Sequence, residues 1–242
     1  MNKNFKRVLA VEIAVAAIVI IGLLAAQNNK PSASPTPSAT PTASQESNLV
    51  ADCVSAISAK SSNEQWDSAP ALDLKDKRNF WNLETNCGQV LIEVYPNKAP
   101  ITVNNLRFLT DENYYNETPC HRLTASSFFV IQCGDPLGSG LGNAGYNIIE
   151  ENLPKAGTNN YPAGTVAIAK GAQPNTSGAQ FFLVYQDTTL GPNYTIVGKI
   201  IKGLDVVKKI ADAGIVGDVK DGKPKQNFGI VSAEFSVNKP VN

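Results

Sequence analysis

Between Cys120 and Asp135 the chain reads CHRLTASSFFVIQCGD, and the run Phe128-Phe129-Val130-Ile131 inside it is too short and too apolar for a surface helix. Bounded by the small polar residues Thr124-Ala125-Ser126-Ser127 and by Gly134-Asp135, it reads as a buried strand. Two strands are expected, roughly 120–123 and 129–132, joined by that polar turn. Side chains of a strand alternate between faces, so Val130 and Gln132 share one side while Phe129 and Ile131 share the other. One hairpin therefore gathers a cation, Arg122, an amide, Gln132, and aromatic bulk beside the only histidine, His121. Such a surface suits a neutral peptide better than a hydrolytic reaction.

The strand signal recurs downstream. Residues 80–85 and 89–95 read as a strand pair about Asn86-Cys87-Gly88, with Val90, Ile92 and Val94 on one face. Pro100-Ile101-Thr102 opens a helix whose Val103, Leu106 and Leu109 recur at helical spacing, leaving Asn104, Asn105 and Arg107 for a solvated face. Short strands follow at 164–169 and 180–185, separated by a long turn, and the loop from Leu190 runs into another. Residues 205–213 form a second helix with Val206, Val207, Ile210 and Ala211 inward and Gly214 as its C-cap. A last strand at 228–237 sets Ile230, Ser232, Glu234 and Ser236 against Val231, Ala233, Phe235 and Val237.

The first third of the chain differs in composition. Lys3, Lys6 and Arg7 precede an apolar stretch from Val8 to Ala26 interrupted by Glu12, the pattern of a segment directed to a membrane with its N-terminus inside. Residues 8–26 are long enough for an uncleaved anchor. Cleavage near Ala25-Ala26 is the alternative, releasing a secreted protein, although Leu24 sits where a small residue is wanted. The reading divides the chain into an N-terminal anchor or signal at 1–27, a Pro/Ser/Thr-rich linker and pre-domain extension at 28–77, and a folded domain at 78–242. The linker has almost no bulky apolar residue to offset its ordering entropy and serves as a spacer. Within the extension a short helix is expected at 49–57, with Trp66 docked on the domain.

Several functions are excluded. Lysine and arginine balance aspartate and glutamate at zero net charge, so no electrostatic footprint for nucleic acid exists. The four cysteines contain no C-x-x-C spacing, which argues against a metal site. Their pairing stays open: Cys120 and Cys133 stand at opposite ends of one hairpin, and buried free thiols fit equally well. Gly140-Leu141-Gly142-Asn143-Ala144-Gly145 fits G-x-G-x-x-G, but Pro154 and Gly157 prevent the helix that a dinucleotide fingerprint requires. His121 lacks the G-x-S-x-G elbow of a serine hydrolase and reads as structural.

His121-Arg122, Phe129-Val130, Gln132 and Gly134-Asp135 resemble one signature of the cyclophilin-type peptidyl-prolyl cis/trans isomerases. A second signature stands at Asn175-Thr176-Ser177-Gly178 followed by Gln180-Phe181-Phe182, in the family's order. The resemblance covers roughly 79–238. It implies a mainly β fold, a closed eight-stranded antiparallel β-barrel capped by two α-helices. It implies also a bacterial membrane-anchored or exported isomerase, with its catalytic domain outside the cytoplasm, acting on X-Pro bonds of exported or cell-surface proteins without a cofactor or metal. Carried over by position, the catalytic residues are Arg122, Phe129 and Gln132, and the substrate groove comes from Val130, Gly140, Ala169, Lys170, Gln180, Phe182, Leu190 and Tyr194.

The chain departs from the family's pattern at the groove rim. Val130 stands for a frequent methionine, Tyr194 for a histidine and Thr189 for a common tryptophan. The turn Ala169-Lys170-Gly171-Ala172-Gln173-Pro174-Asn175 is one residue longer than usual. Activity is expected to survive, while Thr189 and Tyr194 weaken any cyclosporin-type ligand. The alternative is a catalytically weak proline-peptide binding module or extracytoplasmic chaperone on the same fold.

Overall fold

The computed structural model describes residues 53–240. The apolar segment 8–26 and the Pro/Ser/Thr-rich spacer lie outside the described residues. Among those described, no helix is long and apolar enough to cross a membrane.

The elements follow in the order β1 Phe80–Thr85, β2 Gly88–Val94, α1 Pro100–Asp111, β3 Thr118–Pro119, β4 Arg122–Thr124, β5 Val130–Cys133, β6 Thr165–Lys170, β7 Ser177–Val184, β8 Ile196–Lys202, α2 Leu204–Ala213, β9 Asp221–Gly222 and β10 Gly229–Ser236. The strands form one sheet in the order β3-β10-β1-β2-β8-β6-β7-β5-β4-β9. This corrects the expected closed eight-stranded barrel: ten strands curl into an open half-barrel whose edges, β3 and β9, share no ladder. The reason lies at residues 119–121. Pro119 has no N–H to extend β3, and the next two amides turn to opposite sides, Cys120 N donating to Phe228 O at 2.8 Å and His121 N to Gln132 O at 3.0 Å. One strand direction is thereby cut into two short strands, β3 at the edge beside β10 and β4 between β5 and β9.

The alternation expected for β10 also fails in part. Thr85 pairs with Ile230 while Glu84 pairs with Ser232, so Val231 is an extra residue that shifts the face. Ile230 and Phe235, of opposite parity, are both buried as a result. Inside the sheet, Trp81 packs on Phe181 at 4.8 Å, on Tyr115 at 5.3 Å and on Phe235 at 5.7 Å between ring centroids. Helix α1 begins with Pro100 after Ala99, which has no capping side chain. The carboxylate of Glu151 substitutes, accepting from Thr102 N and Thr102 Oγ1 at 2.8 Å each and from Ile101 N at 3.3 Å.

Residues 53–79 wrap the domain as an extended strap with no helix at 53–57. Cys53 is bonded to Cys87 in the β1–β2 turn, and Cys120 to Cys133. Ile57 N donates to Asn227 Oδ1 and Ile57 O accepts from Asn227 Nδ2, a side chain that imitates strand pairing. Trp66 packs edge-on to Phe108 at 5.2 Å, and its N donates to Ala144 O at 2.8 Å. The strap also overturns the expected solvated face of α1. Asn104, Asn105 and Arg107 are buried because the strap and the glycine loop cover them. Arg107 donates to the carbonyls of Asp76 and Arg78, Asn104 to that of Ala71, and Asn105 accepts from Tyr146 OH at 2.7 Å.

Candidate active site

Strand register explains why the motif residues converge. Arg122 on β4 lies opposite Gln132 on β5, Gln132 opposite Phe182 on β7, and Phe182 opposite Ala167 on β6. Directly opposed residues of antiparallel strands share a face, so these four form a row across the outside of the sheet. The inner face of the same strands carries Ile131, Phe181, Leu183, Val166 and Ile168. The outer face has its own small apolar cluster of Val130, Tyr161, Ala167, Phe182 and Val184. Strands buried on both sides read as continuous apolar runs, which is what Phe128 to Ile131 and Phe181 to Val184 are.

On that outer cluster lies a groove of ≈ 210 Å³ lined by Arg122, Phe128, Val130, Gln132, Ala169, Lys170, Phe182, Leu190 and Tyr194. It adjoins a second hollow of ≈ 180 Å³ that shares Gln132, Ala169 and Lys170 and adds Gly140 and Gln180 among its walls. All the residues expected at the site reach one of the two hollows except Phe129. That side chain points to the interior, its ring edge-on to Tyr185 at 5.9 Å, and Phe128 takes the groove wall instead. Phe128 lies in the bend just before β5, two residues ahead of Val130, and meets the groove on the side of Val130 and Gln132. Thr189, at the position of the common tryptophan, is exposed and accepts from Asn159 N rather than lining the groove.

A continuous line of hydrogen bonds crosses the site. Arg122 donates from Nε to Asp221 Oδ1 at 2.7 Å and from Nη2 to Asp221 Oδ2 at 2.6 Å. Its Nη1 donates to Gln132 Oε1 at 3.3 Å, and Gln132 Nε2 to Gln180 Oε1 at 2.7 Å. Gln180 Nε2 in turn donates to the carbonyls of Gly140 at 3.0 Å and Gly142 at 2.8 Å. The glycine loop that supplies these carbonyls is wound around Asp135, which accepts from Leu137 N at 2.8 Å, Ser139 N at 2.9 Å and Gly140 N at 2.6 Å. A Cβ on Gly142 would overlap the Asp135 carboxylate, so only glycine fits there. No helix follows Gly145, and the loop is no nucleotide cradle.

The electrostatics follow from these contacts. The Asp221 carboxylate raises Arg122 above its ordinary value, outweighing partial burial, so the guanidinium stays charged. Burial pushes the Asp135 carboxyl up, but the N–H groups of Leu137, Gly142 and Gly140 outweigh it and hold the group below the usual range. Burial lowers His121, Arg122 adds to the effect, and Asp135 only partly opposes it. The imidazole is therefore neutral at pH 7, with neither ring nitrogen hydrogen-bonded to the protein. Cys120 is locked to Cys133, so no nucleophile and base are paired here.

At the rim, Lys170 runs its stem between the two hollows and turns its ammonium into the lengthened loop, donating to Gly171 O at 3.0 Å and Gln173 O at 2.9 Å. Glu150 holds the far side by accepting from Asn175 N at 2.8 Å and Thr176 N at 3.3 Å. Tyr194 is fixed by its backbone, its N donating to Tyr161 OH at 3.1 Å, and its ring stands edge-on to Phe182 at 5.4 Å.

Residues 80–235 match the family described as cyclophilin type peptidyl-prolyl cis-trans isomerase/CLD. The chain belongs to the cyclophilin family. It is 41% identical over 162 residues to "Probable peptidyl-prolyl cis-trans isomerase B" of Mycobacterium tuberculosis, covering 62% of this chain and 52% of that protein. It therefore spans about half the length of that relative. It is 36% identical over 153 residues to "Peptidyl-prolyl cis-trans isomerase-like 1" of Neurospora crassa, covering 62% of this chain and 90% of that one. Among solved structures it is similar to a Cryptosporidium parvum cyclophilin type peptidyl-prolyl cis-trans isomerase crystallised in the presence of the dipeptide Ala-Pro. The TM-score is 0.57 and the identity 26%, over 66% of this chain and 99% of that one.

Sequence reasoning missed Phe128 and Asp221. For Phe128 the signal was its place two residues ahead of Val130. Nothing marked Asp221, which stands in the charged run Asp218-Val219-Lys220-Asp221 and is distant in sequence from every motif residue. The strap at 53–79 lies before the residues that the family model matches.

Proposed function

We propose that this chain is a peptidyl-prolyl cis/trans isomerase that accelerates rotation about X-Pro bonds in exported or cell-surface proteins. Rotation about a peptide bond costs about 18–20 kcal/mol because amide resonance is lost, and uncatalysed X-Pro exchange takes tens of seconds or longer. In the twisted state the prolyl nitrogen regains a lone pair. Arg122 is always charged and presents several N–H groups in one plane, so it stabilises that state more than the planar ones. Phe128, Val130, Phe182, Leu190 and Tyr194 form the apolar wall for the proline ring. Gln132, held by Gln180, receives the substrate carbonyl and steadies Arg122. The whole step is non-covalent, and the reading needs no cofactor.

The observation that carries this reading is the shared row Arg122, Gln132, Phe182 across β4, β5 and β7, which sets a fixed cation beside an apolar groove. The structure similar to this one was crystallised with a proline dipeptide, which supports the same class of ligand here. In this reading residues 8–26 anchor the protein in the cell membrane, residues 28–47 lift the folded part from it, and the domain at 78–242, with its docked strap, isomerises substrate outside the cytoplasm. The two disulfides fit an oxidising compartment.

Exchange NMR on an Ala-Pro peptide with the full-length chain tests the activity. Acceleration of cis/trans exchange supports the isomerase. Peptide binding with the uncatalysed exchange rate would instead establish a proline-binding module or chaperone.

A further inference from the structure

We propose that Asp221 is a positioning residue of the isomerase, holding the Arg122 fork so that its remaining donors face the groove. The proposal rests on the reading of Arg122 as the group that meets the twisted amide. Arg122 reaches the groove on a long side chain that is 40% exposed and, left alone, samples many rotamers. Asp221 removes that freedom by accepting from Nε and Nη2 together, the bidentate arrangement that sets the plane of a guanidinium. With those two positions occupied, Nη1 is turned to Gln132 Oε1 and the groove. The guanidinium carbon also stands 5.7 Å from the centre of the Phe128 ring, which limits tilt.

The local fold delivers this carboxylate to that place. Strand β9 has only two residues, Asp221 and Gly222, and its ladder partners are Thr124 and Leu123 of β4. Asp221 is thus opposite the residue two along from Arg122, on the same face of the strand. The segment is closed at its base by the bridge between Ile215 and Pro224 and by Val216 N donating to Lys223 O at 2.9 Å. Ala125 N donates to Lys220 O at 2.8 Å and fixes the register beside Asp221.

A plain surface ion pair is the competing account, and it predicts a different outcome. Both side chains are about half exposed, so the pair contributes little to stability and its loss leaves the fold intact. If Asp221 only screened the Arg122 charge, removing it would raise the rate. If it positions Arg122, removing it lowers kcat and leaves KM nearly unchanged, because the planar substrate binds to the apolar wall.

The test uses the full-length chain, an Ala-Pro tetrapeptide and exchange NMR across a range of peptide concentrations, with Asp221→Asn, Asp221→Glu and Arg122→Ala. Asp221→Asn is expected to lower kcat by about tenfold with KM within about twofold, the pattern of an interaction realised only in the transition state. Asp221→Glu restores part of the loss, and Asp221→Asn has no further effect in the Arg122→Ala background. The Arg122 Nε–H resonance shifts and broadens in Asp221→Asn, a change that a purely structural role elsewhere would not cause. An unchanged or increased kcat in Asp221→Asn, with Arg122→Ala inactive, would overturn the positioning role and leave the site intact. Full activity in Arg122→Ala would overturn both.

Discussion

Removing the Cys53–Cys87 bond tests whether the strap is part of the folded unit. The two residues are 34 apart, and chain entropy alone gives such a cross-link a stabilisation of about 4 kcal/mol at 25 °C. That full amount reaches the domain only if the strap stays docked until the barrel unfolds. The contacts argue that it does: Ile57 is 5% exposed, Trp66 sits against Phe108 and Tyr114, and Arg107 on α1 binds the strap carbonyls. Cys53→Ala/Cys87→Ala should therefore lower the melting temperature by about 8–15 °C, taking about 2–4 °C per kcal/mol for a domain of this size. The assay is non-reducing calorimetry of the full-length chain, with the Cys120–Cys133 bond checked by mass spectrometry. A single transition at an unchanged temperature would refute the reasoning, since the strap would then detach without cost to the barrel.

Other consequences follow from the site. Phe128→Ala should lower kcat/KM by about tenfold with little change in stability, whereas Phe129→Ala should cost about 2 kcal/mol of stability and leave kcat/KM closer to the parent; paired melts and exchange measurements separate them. Asp135 is held below its ordinary pKa, so its contribution is complete above the unfolded value of about 4 and is lost as pH falls through the lower folded value. Acid titration followed by near-ultraviolet circular dichroism should thus show the parent losing stability below about pH 4, and Asp135→Asn should be less stable at pH 7 with a shallower acid limb. Thr189, exposed beside Leu190, does not reach the groove wall, so cyclosporin A should bind weakly, and the larger side chain of Thr189→Trp should tighten it in a fluorescence titration.

Much of the site was legible because its residues lie within two short stretches. Arg122 and Gln132 are ten apart and meet through one hairpin register, and Gln180 and Phe182 lie on the strand that flanks it. Local alternation suffices to place such residues. It was less decisive for Phe128 and Phe129, since a strand apolar on both faces carries no contrast in the run itself, and the choice rests on the bend that carries Phe128 just before β5. Asp221 was illegible for a different reason: it comes from 99 residues away, in a lysine-rich loop where a carboxylate reads as solvated. Asn104, Asn105 and Arg107 were misread because helical periodicity describes one packing face, and the strap over Asn104 and Arg107, with Tyr146 and Gly178 over Asn105, provides a second polar one. The open sheet turned on Pro119 and the divergent amides of Cys120 and His121, which a count of strands does not reveal.

The central claim is that catalysis is electrostatic and centred on Arg122. Its most direct test is the exchange rate of an Ala-Pro peptide with the parent chain and with Arg122→Ala, at matched protein concentration and with the fold verified by amide NMR. The account predicts that peptide binding persists while the catalysed rate falls by about a hundredfold or more, the loss typical of a principal transition-state donor. Parent-like exchange in Arg122→Ala would contradict it.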